Sequence, residues 1–386
     1  MTSLSVYPDP QTLTEWRRDF HRHPEIAFEE QRTSDRIVEI LREHGLDPVT
    51  GLGGGTGVVA TIEGNRGAGR SIGLRADIDA LPIEELNTFD YRSTTPGRMH
   101  ACGHDGHTTM LLGAACALAR NPDFAGTVHC IFQPAEESEG GARVMVEEGL
   151  FTRFPMEAVY GLHNWPGLPV GEAAVHDTAV MAAFDVFTLT LSGRGCHAAM
   201  PHLGTDVVLA ACQLVNQLQG LVSRETPPHQ SAVLSVTQFH AGDAYNVIPE
   251  TVELRGTVRC FDAALKAKLE QRFRDAVDAT ARFHDLDVAF DYQARYPATL
   301  NTPAQAADCA EVLAALPGIT HVHRDLAPSM GSEDFAFMLN ERPGAYIWLG
   351  NGDSAALHNP AYDFNDAIAP LGVAYWQALV RHLLNR

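Results

Sequence analysis

Three short apolar runs, each followed at once by polar side chains, constrain the fold of this chain most strongly. They cover residues 71–79, 126–132 and 157–162 and alternate with segments of helical apolar spacing at 104–119 and 141–149. Buried strands that alternate with helices predict an α/β domain whose sheet is largely parallel. In open sheets of this kind, ligand-binding and catalytic residues collect at the carboxyl ends of the strands.

The residues at these strand ends can bind a metal ion or move a proton. The first run ends in Asp77 and Asp79, the second leads into Glu136 and Glu137, and the third is followed by His163. Because three separate strands end in such groups, the sequence predicts a functional site at this edge of the sheet.

A fourth polar cluster lies between the first two of these strands. Residues 99–107 hold one thiol, Cys102, and three imidazoles, one of them His104. Side chains two apart on an extended segment point the same way, so Cys102 and His104 can converge on zinc or another borderline divalent ion. The spacing alone is a weak signal, because a buried thiol beside surface histidines gives the same pattern.

Composition excludes several classes of partner. A length of 386 residues favours two domains, and a net charge of −20 argues against nucleic acid and anionic membranes.

We find no signal-peptide pattern in residues 1–20 and no apolar run near the roughly 20 residues of a membrane helix. The seven scattered cysteines indicate free thiols in a reducing cytoplasm.

The sequence pattern changes between residues 181 and 293. Long strands of alternating polar and apolar residues replace the buried runs, which is typical of a sheet covered on one face only. The predicted strands and helices of this segment are 184–191, 231–239, 251–260, 206–221 and 263–284. We therefore predict an inserted α+β domain at 181–293, flanked by the two parts of an α/β domain at 1–180 and 294–386.

Eight motifs, spread in order over almost the whole chain, carry a more specific signal. They are LRADIDALP (74–82), MHACGHDGH (99–107), FQPAEE (132–137), GLHNW (161–165), GRGCHAAMPH (193–202), NVIP (246–249), MGSEDF (330–335) and LHNP (357–360). Together they resemble the metal-dependent aminoacylase and amidohydrolase family, in the branch of hippurate hydrolases, N-acyl-amino-acid amidohydrolases and auxin-conjugate hydrolases. The resemblance implies a zinc-peptidase-like α/β catalytic domain interrupted by a smaller domain. That smaller domain would act as a lid and mediate the formation of a homodimer.

The resemblance also implies a ligand set for two divalent ions per chain. The positions that match it are Cys102, His104, Glu137, His163 and His358. In related branches an Asp bridges the two ions, and here Cys102 matches that position. One thiolate, three imidazoles and one carboxylate suit zinc, manganese, cobalt or nickel, and which ligand contacts which ion is open.

The same resemblance assigns two acids near the ions. It implies that Glu136 is the general base, although Glu136 and Glu137 could also be part of a solvated acidic turn. It implies that Asp77 is an orienting acid, paired with a ligand or with the base. The D-x-D spacing leaves Asp79 as an alternative for that role.

Three residues of the insert are expected to act on substrate. The resemblance implies that His197 polarises the substrate carbonyl in the partner subunit's site, whereas on its own it reads as an ordinary loop histidine. Asn246 and Arg255 are weaker candidates for substrate binding. Asn246 precedes Val-Ile-Pro and could equally be a turn residue.

The expected reaction is hydrolysis of the amide bond of an N-acyl amino acid, giving a carboxylic acid and a free amino acid. Within the same family, the alternatives are a deacetylase of the N-acetyl-diaminopimelate type or a dipeptidase. Outside it, the alternatives are an amidase that uses Cys102 as nucleophile and a metal-dependent binding protein without turnover. The presence of Glu136 argues against a pure binder, which has no need of a base.

Overall fold

The chain runs through two structural units in the computed structural model, which describes residues 7–137 and 139–385. The first unit combines the described residues of Met1–Val180 with Leu300–Ala327 and Asp334–Arg386. The second unit combines Met181–Thr299 with Pro328–Glu333. The chain therefore passes from the first unit to the second at residue 181 and returns at residue 300. It enters the second unit again for residues 328–333 and ends in the first.

An eight-stranded sheet forms the centre of the first unit. Its strands, in spatial order, are Val49–Leu52, Gly57–Glu63, Thr127–Gln133, Ser71–Asp77, Ala158–Pro166, Gly344–Gly352, Glu172–Ala174 and His321–His323. The third to sixth strands of this order are mutually parallel. The three runs singled out in the sequence are thus direct neighbours, and their carboxyl ends meet at one edge of the sheet.

Helices flank this sheet. They are Pro10–Arg22, Gln31–Glu43, His104–Arg120, Gly141–Glu147, Leu150–Arg153, Pro303–Ala315, Ala336–Glu341 and Ala369–Leu384. The helix His104–Arg120 is buried along most of its length and packs against Pro10–Arg22 and Ala369–Leu384. The helix expected over 141–149 ends at Glu147. Gly149, whose φ of +90° is left-handed, separates it from a second short helix, Leu150–Arg153.

The second unit is an α+β structure. Its antiparallel sheet has the order Ala232–Ala241, Thr251–Cys260, Ala183–Ser192 and Asp287–Tyr296, and its long helices are Val207–Gly220 and Ala263–His284. Alternate residues of Ala183–Ser192 are buried, and Phe187 packs edge-on against Phe273 at 4.7 Å between ring centroids. The strand Asp287–Tyr296 is absent from the sequence prediction, which identified three strands here.

These features confirm the predicted α/β class with a second domain of α+β type. No helix in the described part of the chain is long and apolar enough to span a membrane. The roles of lid and dimerisation domain stay predictions.

Candidate metal centre

A glycine sets the geometry of the segment that carries Cys102 and His104. Gly103 has φ +94°, and a Cβ atom at this position would lie 2.2 Å from Asn164 Oδ1. Only glycine tolerates both the left-handed backbone and this close approach. The helix starts immediately afterwards at His104, so Cys102 lies on the preceding loop and His104 in the first turn.

The Cys102 thiol faces an imidazole from the neighbouring strand. Cys102 Sγ lies 3.3 Å from His163 Nε2. The other ring nitrogen of His163, Nδ1, donates to the carbonyl oxygen of Asn164 at 2.6 Å. That hydrogen bond fixes the tautomer, so the Nε2 lone pair points towards the thiol.

His104 is oriented in the same way. Its Nδ1 donates to Asp79, with the carbonyl oxygen at 2.9 Å and Oδ1 at 3.1 Å. Its Nε2 is buried and has no hydrogen-bond partner among the described residues. This nitrogen lies 3.8 Å from Glu137 Oε1. A buried ring nitrogen that faces a carboxylate and has no hydrogen-bond partner is the arrangement expected of a metal ligand.

Glu136 and Glu137 follow the strand Thr127–Gln133 on a tight turn. Ala135 has φ +56°, an uncommon value for a residue with a Cβ. The backbone N–H of Glu137 donates to Asp79 Oδ2 at 3.0 Å, and the N–H of Asp334 donates to Glu136 Oε1 at 3.3 Å. The two glutamates thus have separate supports, and Glu136 is itself buried.

His358 completes the set from a distant loop. Its backbone has φ +63°, and its N–H donates to Ala101 O at 2.8 Å. Its Nε2 lies 3.3 Å from Glu137 Oε1, and about half of its side chain is exposed. The loop is therefore tied directly to the segment that carries Cys102.

All five expected ligands come together in the first unit. The five expected ligands fall into three overlapping groups in which the potential ligand atoms lie within 4.8 Å of one another. The groups are Cys102–His104–His163, Cys102–Glu137–His358 and His104–Glu136–Glu137. Since the groups share members, one connected cluster offers a thiol, three imidazoles and two carboxylates.

The electrostatics of this cluster fit a bound cation. Burial, together with the charges of Glu137 and Glu136, raises the pKa of the Cys102 thiol well above its usual range. Burial lowers the pKa of His104, but Asp77, Asp79 and Glu137 outweigh it and raise this pKa to about 10. Without a bound ion, the Cys102 thiol and the His104 imidazolium therefore keep their protons. A divalent ion would replace these protons and stabilise the thiolate.

Asp77 hydrogen-bonds to two residues outside the expected ligand set and also lies near one expected ligand, His104. Its carboxylate accepts hydrogen bonds from His107 Nδ1 at 2.6 Å and from Arg75 Nη1 at 2.7 Å, and it lies 3.8 Å from His104 Nε2. Burial raises the pKa of Asp77, but His104, His107 and Arg75 hold it well below its usual range. The expected ligand His104 donates its hydrogen bonds to Asp79, which the sequence left open as an alternative to Asp77. The hydrogen bonds of His104 thus favour Asp79 as the orienting acid, while Asp77 lies as close to His104 Nε2 as Glu137 does, at 3.8 Å, and its orienting role stays a prediction.

His197 and Asn246 lie together in the second unit. Residues Cys196–His197 pair with Val247–Ile248, and the Ala198 N–H donates to Asn246 O at 2.9 Å. An open pocket of about 470 Å³ is lined by both His197 and Asn246. The pairing of two short strands therefore explains how the GRGCHAAMPH and NVIP motifs contribute to one surface.

Arg255 is not among the residues that line this pocket. It projects from the central strand Thr251–Cys260, and its Nε lies 2.9 Å from Glu253 Oε1. The structure thus gives Arg255 a neighbouring carboxylate as partner, and its role in substrate binding stays a prediction.

Sequence reasoning missed a buried polar network beneath the cluster. Arg75 is fully buried and contacts Asp334 Oδ1 through Nη2 at 2.9 Å, while His107 Nε2 lies 2.7 Å from Asn164 Oδ1. Two signals were available: an arginine inside an apolar strand requires a buried partner, and His107 is one helical turn from His104.

Comparisons with known proteins agree with this geometry. Residues 73–382 match peptidase family M20/M25/M40. The chain belongs to this family. It is 36% identical over 368 residues to N-acetylcysteine deacetylase from Bacillus subtilis, with 95% of each chain covered. It is 36% identical over 364 residues to hippurate hydrolase from Campylobacter jejuni, with 94% of each chain covered.

A solved structure is similar along the whole chain. The Bacillus subtilis YXEP protein, described as a dinuclear metal-binding peptidase of the M20 family, superposes with a TM-score of 0.85 and 33% identity. The match covers 97% of this chain and 98% of that protein. The family resemblance and the class of metal-dependent amide hydrolase, both predicted from the sequence, are confirmed.

Proposed function

We propose that this protein hydrolyses the amide bond of N-acyl amino acids at a centre of two divalent ions, releasing a carboxylic acid and an amino acid. The ions are held by Cys102, His104, Glu137, His163 and His358. Related proteins named for the hydrolysis of hippurate and N-acetylcysteine, both N-acyl amino acids, support this substrate class.

One observation carries the proposal most directly. The Nε2 atom of His104 is buried without a hydrogen-bond partner among the described residues and lies close to Glu137. An unpartnered polar atom in a protein interior is costly, and a metal ion satisfies it. The donor set around it mixes sulfur, nitrogen and oxygen, which suits zinc, manganese, cobalt or nickel.

The ions and the side chains have different roles in the proposed reaction. Divalent ions at this centre would acidify water and polarise the acyl carbonyl. Glu136 takes a proton from water while the water oxygen attacks the carbonyl carbon. Glu136 then delivers that proton to the leaving nitrogen. Its support by the Asp334 N–H at 3.3 Å keeps one carboxylate oxygen oriented.

His197 is suited to donate a hydrogen bond to the substrate carbonyl. Its Nδ1 accepts the Ala199 N–H at 3.0 Å, so the neutral ring carries its proton on Nε2. The side chain is exposed and adjoins the pocket that it shares with Asn246. An Nε2–H group of this kind can stabilise the negative charge that develops on oxygen.

The proposal includes a homodimer in which His197 serves the partner subunit's centre. The strand Ala232–Ala241 forms an edge of the second unit's sheet, and its apolar residues Val233 and Phe239 are exposed. Tyr245, which follows this strand, is fully exposed. An exposed apolar edge strand is a surface on which a second copy can pair.

We place the protein in the cytoplasm. Each of its seven cysteines, all within the described part of the chain, is free. Five of them are buried, including Cys102. Free thiols, one of them proposed as a metal ligand, suit a reducing compartment.

An amidase that uses Cys102 as nucleophile is disfavoured by the same contacts. Burial and nearby carboxylates keep the Cys102 thiol protonated, while burial and His107 lower the pKa of His163 well below its usual range. A neutral thiol beside a neutral imidazole lacks the thiolate that nucleophilic attack requires.

The decisive experiment combines a substrate panel with removal of metal. The purified protein is assayed with hippurate, N-acetylcysteine and dipeptides, after chelation and after reloading with Zn, Mn, Co or Ni. We expect hydrolysis of N-acyl amino acids that chelation abolishes and one or more of these ions restores. Activity that survives complete removal of metal would support the thiol amidase, and a loaded protein without turnover would support a binding protein.

A further inference from the structure

One remote carboxylate supports the turn that presents Glu136 and Glu137. Glu30 precedes Ala135 by 105 positions, yet its Oε1 accepts the Ala135 N–H at 2.9 Å. Its Oε2 accepts the Thr56 hydroxyl at 2.8 Å. Glu30 is completely buried, so neither bond competes with solvent.

The turn needs this support because its backbone is unusual. Ala135 has φ +56° although it carries a Cβ. Its carbonyl oxygen accepts the Gly141 N–H at 3.0 Å, and a Cβ at Gly141 would lie 1.8 Å from Pro134 O. Both polar groups of the Ala135 backbone are therefore held, one by a neighbouring glycine and the other by Glu30. Loss of the second would release the residue towards an unstrained conformation.

Apart from Ala135 and Thr56, the Glu30 side chain has no hydrogen-bond partner among the described residues. It stands immediately before the helix Gln31–Glu43 but makes no side-chain capping bond to it. No cation among the described residues lies within salt-bridge distance of Glu30, and burial and the charge of Asp79 raise its pKa to about 7. A buried carboxylate without a counter-charge reduces stability, which makes its presence a marker of function.

We infer that Glu30 is a positioning residue that fixes the Ala135 backbone and, through it, the base Glu136 and the ligand Glu137. The inference rests on the roles given to these two glutamates in the proposed function. Glu30 does not touch substrate or the ions. It acts because a displacement of about 1 Å at a catalytic group can reduce turnover a hundredfold.

The test compares four variants in the full-length, metal-loaded protein. Glu30→Ala removes the carboxylate acceptor. Glu30→Asp shortens the side chain by one methylene and so moves the carboxylate away from the Ala135 N–H. Glu30→Gln keeps a carbonyl oxygen for the Ala135 N–H, and its amide can donate to Thr56. Thr56→Val is the matched control, because it breaks the other hydrogen bond of the same buried carboxylate and leaves the Ala135 contact intact.

We expect Glu30→Ala and Glu30→Asp to lower kcat at least about tenfold with KM within about twofold, and to raise the Kd for Co²⁺ about tenfold. Glu30→Gln and Thr56→Val should remain within about threefold of wild type in both quantities. Thermal unfolding is measured for all four, so that a loss of stability is separated from a loss of positioning.

Two results would overturn the inference. One is wild-type kcat and Co²⁺ affinity in folded Glu30→Ala or Glu30→Asp. The other is an equal loss in Thr56→Val, which would indicate general destabilisation. If the wild-type protein hydrolyses no N-acyl amino acid, the proposed function fails separately, and Co²⁺ affinity of the same variants still decides the role of Glu30.

Discussion

Asp79 accepts the Nδ1 proton of His104 and the backbone N–H of Glu137 with different oxygens of one carboxylate. The first distance is 3.1 Å to Oδ1 and the second is 3.0 Å to Oδ2. A single side chain thus orients two proposed ligands that are 33 positions apart in the sequence. Such support outside the ligand shell fixes ring orientation and tautomer, which in turn sets metal affinity.

This relationship predicts a difference between the two acids of the D-x-D pair. Asp79→Asn should lower metal affinity by about 10- to 100-fold, because the amide keeps only one acceptor oxygen for the two N–H donors. Asp77→Asn is the matched control and should have the smaller effect, since its hydrogen bonds go to Arg75 and His107. Competition with a chromogenic chelator measures both affinities, and a larger loss in Asp77→Asn would return the orienting role to Asp77.

The thiol of Cys102 should be required for full metal loading. We expect Cys102→Ser to reduce metal content strongly, because a hydroxyl is a poorer ligand than a thiolate for borderline ions. Cys116→Ser, on the buried helix His104–Arg120, controls for the loss of a core thiol and should retain normal stoichiometry. Elemental analysis gives both values, and full occupancy in Cys102→Ser would exclude the thiol as a principal ligand.

Glu136 should be needed for turnover and not for binding. Glu136→Gln preserves size but removes the proton acceptor, so we expect kcat to fall at least about a hundredfold with metal and substrate binding retained. The exposed Glu139, on the same acidic turn, provides the control Glu139→Gln, which should leave kcat near wild type. Comparable losses in both variants, measured by steady-state kinetics, would assign the effect to the charge of the turn.

A complementation assay tests whether His197 acts across a dimer. His197→Ala and Glu136→Gln chains, each inactive alone, are mixed, dissociated and reassociated. If His197 serves the partner subunit, each heterodimer holds one site with both wild-type residues. Random exchange then restores roughly a quarter of the wild-type activity. Confirmed heterodimers without activity would show that His197 acts within its own chain or not at all.

The buried ion pair of His21 predicts a pH-dependent stability. Its Nδ1 lies 2.8 Å from Asp105 Oδ2 and its Nε2 3.1 Å from Glu85 Oε1. Burial lowers the pKa of His21, but the hydrogen bonds to Asp105 and Glu85 raise it to about 9. The folded state therefore favours the imidazolium. Its contribution is complete below the unfolded pKa of about 6.5 and is lost as pH rises through 9.

Urea denaturation of wild type and His21→Asn between pH 6 and pH 9.5 would measure this effect. We expect the stability advantage of wild type over the variant to shrink by up to about 3 kcal/mol across that interval. Parallel pH profiles for the two proteins would mean that His21 does not change its protonation preference on folding.

Local patterns in the sequence predicted much of the fold and several of the candidate site residues, and the family resemblance added the rest, including His358. The apolar runs became adjacent parallel strands, Ser71–Asp77, Thr127–Gln133 and Ala158–Pro166, because burial on both faces selects such residues. The sequence also singled out Cys102 and His104 from their spacing. These features depend on residues close together in the chain, where backbone geometry fixes which way side chains point.

The tertiary structure decided what those patterns left open. The D-x-D spacing does not distinguish Asp77 from Asp79. Only the packing of the helix His104–Arg120 against the strand end brings His104 within hydrogen-bond distance of Asp79. Glu30 reaches Ala135, and Arg75 reaches Asp334, across 105 and 259 positions. Contacts over such separations follow from strand order and helix docking, which the periodicity of a local segment does not encode. The sequence by itself thus determined which side chains are available at the site, and the assembled sheet determined which of them meet.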